Sequence, residues 1–190
     1  MRTLARIRAA FGERPAPARA GLPPLPAALR RGELAASYLA AADASDHRRA
    51  GATAHEAMER AIAAREWWPA DAWAHRALWH FERAELALQA VRAARRIGDL
   101  RTEAGDPAHA RRYYAEAISE ARDIGAEREE GLAALGLGRA MLELRDVTSA
   151  RRLAQIAADL LERAGAPSVE VAAARELRGT EKPVTDESGW

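Results

Sequence analysis

Apolar and small residues recur along most of this chain at spacings of three and four positions, which is the period of one face of an α-helix. The pattern runs from about Ala27 to Arg178, and short segments rich in glycine, proline or aspartate interrupt it. β-Branched residues are sparse, whereas alanine fills 49 positions and arginine 28. Because both residues are good helix formers, the sequence predicts an all-α fold.

The first half of the pattern divides only loosely into helices. We expect one helix over 27–44, with Asp46 capping a turn after it, and a second helix over about 53–67 that Pro69 ends. Residues 71–104 contain no proline and a single glycine, so they form either one long helix or two helices. Two helices broken near residues 80–85 are favoured, because more than thirty residues is long for a helix in a globular protein.

Turn residues in the second half are clearer. A glycine, an aspartate and a proline in succession are typical of a helix end, an N-cap and the first position of the next helix. We expect such boundaries at Gly105-Asp106-Pro107, a helix end at Gly125, a helix over 128–144, a cap at Asp146, an end at Gly165, and a last short helix over 167–178.

Two stretches of the chain match each other at a displacement of forty residues. Residues 103–126 and 143–166 share eight of 24 aligned positions, including Asp106/Asp146 and Gly125/Gly165. Chance would give roughly three in so biased a composition. A repeat of this length with helical periodicity indicates stacked helix pairs, which commonly bind other proteins.

Each forty-residue unit places small residues where helices approach closely. The spacings of twelve and seven are the same in both units, a large apolar residue precedes each glycine, and one tyrosine lies between two alanines. The packing residues are Ile97, Gly98, Ala110, Tyr114 and Ala117 in one unit, and Leu137, Gly138, Ala150 and Ala157 in the next.

This pattern resembles the tetratricopeptide repeat family in its longer, forty-residue form. Several positions depart from the family pattern: Ala94 and Ala134 replace an aromatic, and Arg122 and Glu162 replace the terminal proline. Coverage is good over 90–178 and weak over 32–67, where Ala54, Met58 and Ala61 echo the second-helix pattern. The resemblance implies antiparallel helix hairpins stacked as a right-handed α-solenoid, with first helices lining the concave face.

The resemblance also implies which side chains face the groove. These are Arg92, Arg95, Arg96, Asp99, Arg139 and Glu143, accompanied by Leu132 and Leu135. The arginines form a basic strip suited to an acidic peptide or a carboxylate, although an ordinary solvated helix face has the same composition. The chain has no asparagine, so the family's asparagine-based carboxylate recognition is not transferred.

The most unusual local composition lies at residues 67–81. It contains Trp67, Trp68, Trp73 and Trp79. These rings either supply core packing to an alanine-rich protein or form an aromatic patch that binds a partner or a second copy of the chain. Trp67 and Trp68 are adjacent, so they cannot both face one core, and one of them is the better candidate for exposure.

Residues 1–31 form a basic arm that carries seven arginines and one acid. Its apolar residues Leu4, Ile7 and Phe11 lie on one helical stripe, and Arg2, Arg6 and Arg8 accompany them. Five prolines follow within residues 15–26 and predict an extended, polyproline-like tether. The arm is either an unstructured leader or a docking segment. We expect deletion of 1–27 to leave the fold intact.

The chain divides into this arm, a repeat domain over 32–178 and a polar tail over 179–190. The net charge is +1, which makes nucleic acid an improbable partner for the whole molecule. The absence of cysteine excludes thiolate chemistry, and no apolar run approaches the roughly 18 residues of a membrane span. Arginine in place of lysine is typical of a GC-rich genome, so a bacterial, cytoplasmic protein is the default.

No catalytic set emerges from the sequence. His47, His55, His75, His80 and His109 show no metal-ligand spacing, and the glycines at 131, 136 and 138 lack the lysine of a phosphate-binding loop. We therefore expect no enzyme activity, no metal and no cofactor. The favoured function is a scaffold or adaptor that binds a peptide or protein, and the alternative is a regulatory nucleic-acid-associated protein that uses the arginine-rich arm.

Overall fold

The structure is a computed structural model that describes residues 22–179. It confirms the all-α prediction, since these residues form eight α-helices and one turn of 3-10 helix at Ala27–Leu29, without a strand among them. The α-helices are α1 (Glu33–Asp43), α2 (His47–Ala63), α3 (Trp67–Arg83), α4 (Ala87–Glu103), α5 (Pro107–Asp123), α6 (Glu127–Glu143), α7 (Val147–Arg163) and α8 (Ser168–Arg178).

Helices α2 to α7 follow a constant step along the chain. Each has 17 residues, and from α3 to α7 each begins twenty residues after the one before it. Two such steps make the forty-residue unit seen in the sequence. Helices α2 and α3 form one more unit of this length, although sequence identity does not reveal that unit. Helices α2, α4, α6 and α8 are first helices of their units, and α3, α5 and α7 are second helices.

The turns between helices share one backbone conformation. In each turn an amide donates a hydrogen bond to the carbonyl oxygen five positions earlier, as Asp106 does to Arg101 at 2.8 Å. This Schellman arrangement needs a residue with positive φ. The residues with that conformation are Ser45, Arg65, Glu85, Gly105, Gly125, Arg145 and Gly165. Only three of these seven residues are glycine, so the remaining turns carry no glycine signal.

Two boundaries expected in the first half are wrong. The helix expected over 53–67 is α2, which begins at His47 because Asp46 caps it by accepting a hydrogen bond from the Arg49 amide at 3.0 Å. Pro69 does not end a helix. It lies in the first turn of α3, where an amide hydrogen has no intrahelical acceptor and proline is tolerated.

The repeat register expected for the first unit is also wrong. Ala54, Met58 and Ala61 belong to α2, which is a first helix because it begins forty residues before α4. The second-helix positions of that unit are Ala70, Ala74 and Ala77 of α3, which are all fully buried.

The other expected boundaries agree closely with the structure, except for the start of the first helix. The break within 71–104 exists and lies at residues 84–86. Asp106 and Asp146 cap α5 and α7 by accepting hydrogen bonds from the amides of His109 and Ser149. The helix expected from residue 27 begins only at Glu33, after the 3-10 turn.

Consecutive helices pack antiparallel, and first helices also pack against each other. Helix α4 packs on α6, and α6 packs on α8, whereas no two second helices pack as closely in the described chain. The first helices therefore converge on one side of the stack, which becomes the inner side of an α-solenoid. Among residues 22–179, no helix is both long and apolar enough to cross a membrane.

One tyrosine sets how closely α4, α5 and α6 approach. The ring of Tyr114 is buried between Gly98 of α4 and Gly136 of α6. A Cβ atom on Gly136 would lie 2.4 Å from ring atom Cε1, and one on Gly98 would lie 2.7 Å from it. Neither helix has room for a side chain at these positions.

Residues 22–30, which precede α1, lie against the N-terminal end of the stack. Leu25 and Leu29 are buried in the same apolar cluster as Tyr38 of α1 and Trp73 of α3. The part of the chain before residue 27 therefore contributes a core side chain, Leu25, contrary to the basis on which deletion of 1–27 was expected to be harmless.

Candidate functional site

The inner face of the solenoid carries the arginines expected to line a groove. Arg92 of α4 donates from Nε to Oε1 of Glu129 in α6 at 2.7 Å. Arg96 reaches the opposite neighbour, α2, and donates to both carboxylate oxygens of Glu59 at 3.0 and 2.8 Å. These ion pairs cross from helix to helix and hold α2, α4 and α6 together.

The remaining members of this network lie within α4. Arg95 donates to Oδ2 of Asp99 at 2.9 Å, and its Nε lies 3.9 Å from Oε2 of Glu129. Three arginines thus face three carboxylates, and the expected basic strip is balanced in charge. An acidic ligand has to compete with carboxylates that are already in place. Arg92 keeps 47% of its side chain exposed, whereas Glu129 keeps only 5%.

Arg96 shows how strongly this network holds its cations. Burial lowers the pKa of Arg96, but the hydrogen bonds and charges of Glu59 and Asp99 outweigh burial and raise it overall. The guanidinium is therefore a permanent charge whose partners are supplied by the protein itself.

Tyr114 connects the inner face to the second helices. Its ring passes between α4 and α6, and its hydroxyl donates to Oδ1 of Asp99 at 2.9 Å. Burial and the negative charge of Asp99 raise the pKa of Tyr114 well above its ordinary value, so the hydroxyl stays protonated and fixes Asp99.

The rest of the expected groove set lies farther along α6. Arg139 and Glu143 are exposed, and Leu132 is half-buried. Leu135, expected in the groove, is buried in the apolar cluster beneath α7 and α8. The inner face therefore combines a charge-balanced region on α2 and α4 with a more open region on α6.

The nine packing residues expected from the repeat are buried, except for Leu137, which is half-buried. Gly138 faces α8, because a Cβ there would lie 2.9 Å from Cδ2 of Leu177 and 3.3 Å from the carbonyl oxygen of Ala150. Small residues at these positions thus allow the close approach of neighbouring helices.

The four tryptophans expected to act together are separated. Trp67 and Trp68 are both exposed, at 42% and 56%. The expectation that at least one of these adjacent rings lies outside the core agrees with this. Trp73 is inside the core and packs edge-on against Tyr38, with ring centroids 5.1 Å apart. Trp79 is half-buried beneath the guanidinium of Arg83. Trp73 is therefore unavailable to a partner, and Trp67 and Trp68 remain the exposed part of the patch.

The sequence did not reveal a polar cluster formed by the buried Tyr38, Arg76 and His80 and the half-buried His47. Tyr38 Oη lies 3.2 Å from Nε2 of His80, and Nδ1 of His80 lies 3.0 Å from Nδ1 of His47. Arg76 and His80 are one helical turn apart in α3 and are both buried. That spacing, on a helix whose other inward residues are apolar, was the available signal.

One group of acidic side chains also comes together on the second helices. Carboxylate oxygens of Glu82, Glu116 and Glu120 lie within 4.8 Å of one another at the junction of α3 and α5. All three are half-buried, and each has other interactions.

The proposed docking residues of the arm, Leu4, Ile7, Phe11, Arg2, Arg6 and Arg8, lie outside the described residues. The tail beyond Gly179 does as well.

Comparison with known proteins supports the fold and goes no further. The chain is similar to the crystal structure of the apo form of RapI, with a TM-score of 0.63 and 16% sequence identity over 78% of this chain and 58% of that chain. No protein-family model and no curated protein matches the sequence. The tetratricopeptide assignment therefore stays a prediction.

Proposed function

We propose that this protein is a non-catalytic adaptor that binds a segment of another protein or a peptide along the inner face of its first helices. The observation that carries the proposal is the paired but partly exposed network of Arg92, Arg95 and Arg96 on α4. Rigid, pre-paired side chains offer hydrogen-bond donors at little conformational cost to the complex.

The partner contacts follow from what the inner face leaves accessible. Arg92 engages Glu129 through Nε alone, so its outer nitrogens can donate to a carbonyl or carboxylate of a ligand. Arg139 is exposed on α6 beside the half-buried Leu132. A matching ligand is an extended segment that carries oxygen acceptors and at least one apolar side chain. Net acidity is not required, because the arginines are already balanced by Glu59, Asp99 and Glu129.

The test is affinity capture from host lysate on immobilised full-length protein, followed by mass spectrometry. The variant Arg92→Ala/Arg139→Ala alters the inner face. Arg152→Ala is its matched control, since Arg152 is an exposed arginine on the second helix α7. We expect a specific partner to bind the wild type and the control, and to lose at least tenfold of its affinity with the double variant.

Equal retention of that partner by the double variant contradicts groove binding. A partner that is lost instead with Trp67→Ala/Trp68→Ala assigns binding to the exposed tryptophans. Retention of nucleic acid favours the alternative function of the arginine-rich arm.

A further inference from the structure

The segment at residues 22–30 is held to the repeat domain by a buried arginine. Arg76 of α3 is 4% exposed. Its Nη2 donates to the carbonyl oxygens of Pro23 and Pro24 at 3.1 and 3.2 Å, and its Nη1 donates to that of Ala72 at 2.9 Å. None of the ion pairs between described residues involves Arg76. Backbone carbonyls, two of them from the N-terminal segment, therefore replace water around this charge.

The same arginine adjoins a short chain of hydrogen bonds. Tyr38, His80 and His47 follow one another with contacts of 3.2 and 3.0 Å, and the two histidines face each other through Nδ1. Such a contact needs one N–H and one lone pair. The pair therefore accommodates one proton between the facing nitrogens, and a second proton there sets two N–H groups against each other.

We propose that this cluster is a pH-sensitive lock on residues 22–30: the segment stays docked while one facing nitrogen of the His47–His80 pair is unprotonated, and it is released when both are protonated.

Release is directed to this segment because two of the three carbonyl oxygens that accept from Arg76 belong to it. Tyr38, His47 and His80 lie on α1, α2 and α3, where α1 packs on α2 and α2 packs on α3. Residues 22–30 are held to the helices by the Arg76 hydrogen bonds and by the burial of Leu25 and Leu29. A bond from Arg30 Nε to the Leu25 carbonyl at 2.7 Å lies within the segment and does not tie it to a helix. Lifting the segment brings water to the buried charges without opening the solenoid.

Within residues 22–179, no carboxylate is among the groups whose charges act on His80, so none there offsets an added proton. The charged and titratable groups that act on His80 are His47 on α2, Arg76 and Arg83 on its own helix, and Tyr38 on α1. Asp46, next to His47, is used in capping the Arg49 amide. Burial and then the charges of His47, Arg76 and Arg83 lower the pKa of His80 from 6.5 to about 4.

The direction of the pH effect follows from this lowered pKa. Lifting the segment removes part of the burial that lowers the pKa of His80, so an undocked His80 takes up a proton at a higher pH than a docked His80 does. Docking is therefore favoured near neutral pH and weakens as the pH falls towards 4.

The experiment is hydrogen exchange of the full-length protein from pH 7 to pH 4.5, with each rate divided by its intrinsic value at that pH. The reporters are the amides of Leu29 and Arg30, which donate to Pro26 and Ala27. We expect their protection to fall by at least tenfold over this range, while amides in the middle of α6 keep theirs. His80→Gln should remove the fall, because glutamine hydrogen-bonds without titrating.

Two further variants keep the test decisive. His109→Gln removes an exposed histidine that pairs with Asp106, and it should behave as the wild type. If His80→Gln fails to dock the segment at pH 7, His47→Gln replaces it and should make the pH dependence shallower. Constant protection of Leu29 and Arg30 in the wild type overturns the proposal, as does a wild-type pH dependence in whichever histidine variant docks.

Discussion

The two halves of the solenoid, divided between α3 and α4, keep the same spacing between helix starts from α2 to α7 but fill their cores in different ways. Up to Arg83, large rings and a buried polar cluster fill the interior, with Trp73 against Tyr38 and Phe81 against Gly51. From Ala87 onward, alanine and glycine let helices approach closely around a few bulky side chains, above all Tyr114. Helices α2 to α7 keep 17 residues in both halves, so the repeat length does not depend on which side chains fill the core.

The largest effect is expected from removing the Tyr114 ring, which lies at the centre of the second half. Tyr114→Ala should lower the free energy of unfolding by about 3–5 kcal/mol, because it leaves a cavity among α4, α5 and α6. Trp68→Ala removes a larger ring, but one that is exposed, and should cost less than about 0.5 kcal/mol. Urea unfolding followed by circular dichroism measures both, and equal losses would show that the Tyr114 slot is not central to packing.

A second test compares two glycine-to-alanine variants, one in each half of the solenoid. Gly136→Ala should destabilise by about 2 kcal/mol although alanine favours helix, because the Tyr114 ring is also confined by Gly98 and cannot move away. Gly51→Ala should cost about 1 kcal/mol, since a Cβ there lies 2.7 Å from the Phe81 ring and a glycine confines that ring on one side only.

The same urea titration decides this second comparison. If the order of the two losses is reversed, the aromatic half is the more rigid one. Combining Gly136→Ala with Tyr114→Leu should make the alanine nearly neutral, because a leucine can adjust its rotamer.

The smallest effect should be the same in both halves. Asp46→Ala and Asp106→Ala each remove a side-chain cap, and each should lower the melting temperature by about 2–4 °C. Differential scanning calorimetry measures these shifts. A clearly larger shift for either variant would mean that the turns differ between the halves as the cores do.

The sequence predicted the helices well where turn chemistry is explicit and poorly where it is not. The boundaries from residue 105 onward carry glycine, aspartate or proline. The turns at Ser45, Arg65 and Glu85 use residues that seldom adopt positive φ. Only the first of them is followed by a capping aspartate, Asp46, so the turns at Arg65 and Glu85 have neither a glycine nor a capping aspartate to mark them. Pro69 was mistaken for a helix end because proline is equally suited to a first turn.

The sequence suggested where a candidate site could lie but not how its side chains pair. The resemblance to the tetratricopeptide repeat family implied that Arg92, Arg95 and Asp99 face the groove. It could not show that Glu59 and Glu129 lie opposite the arginines, because each of those pairs spans 37 residues and two helices. The cluster of Tyr38, His47, Arg76 and His80 could not be predicted for the same reason, because its members lie on three different helices.

A residue with positive φ recurs every twenty positions, so each turn gives the backbone the same change of direction and the repeat domain could be lengthened by whole units. Equivalent joints at Glu85, Gly125 and Gly165 bracket complete helix pairs, so the segment between two such joints can be copied or removed without changing the path of the chain on either side. The number of forty-residue units then determines the length of the inner face. Engineered versions with one unit more or fewer would form a graded series of surfaces on an unchanged backbone geometry.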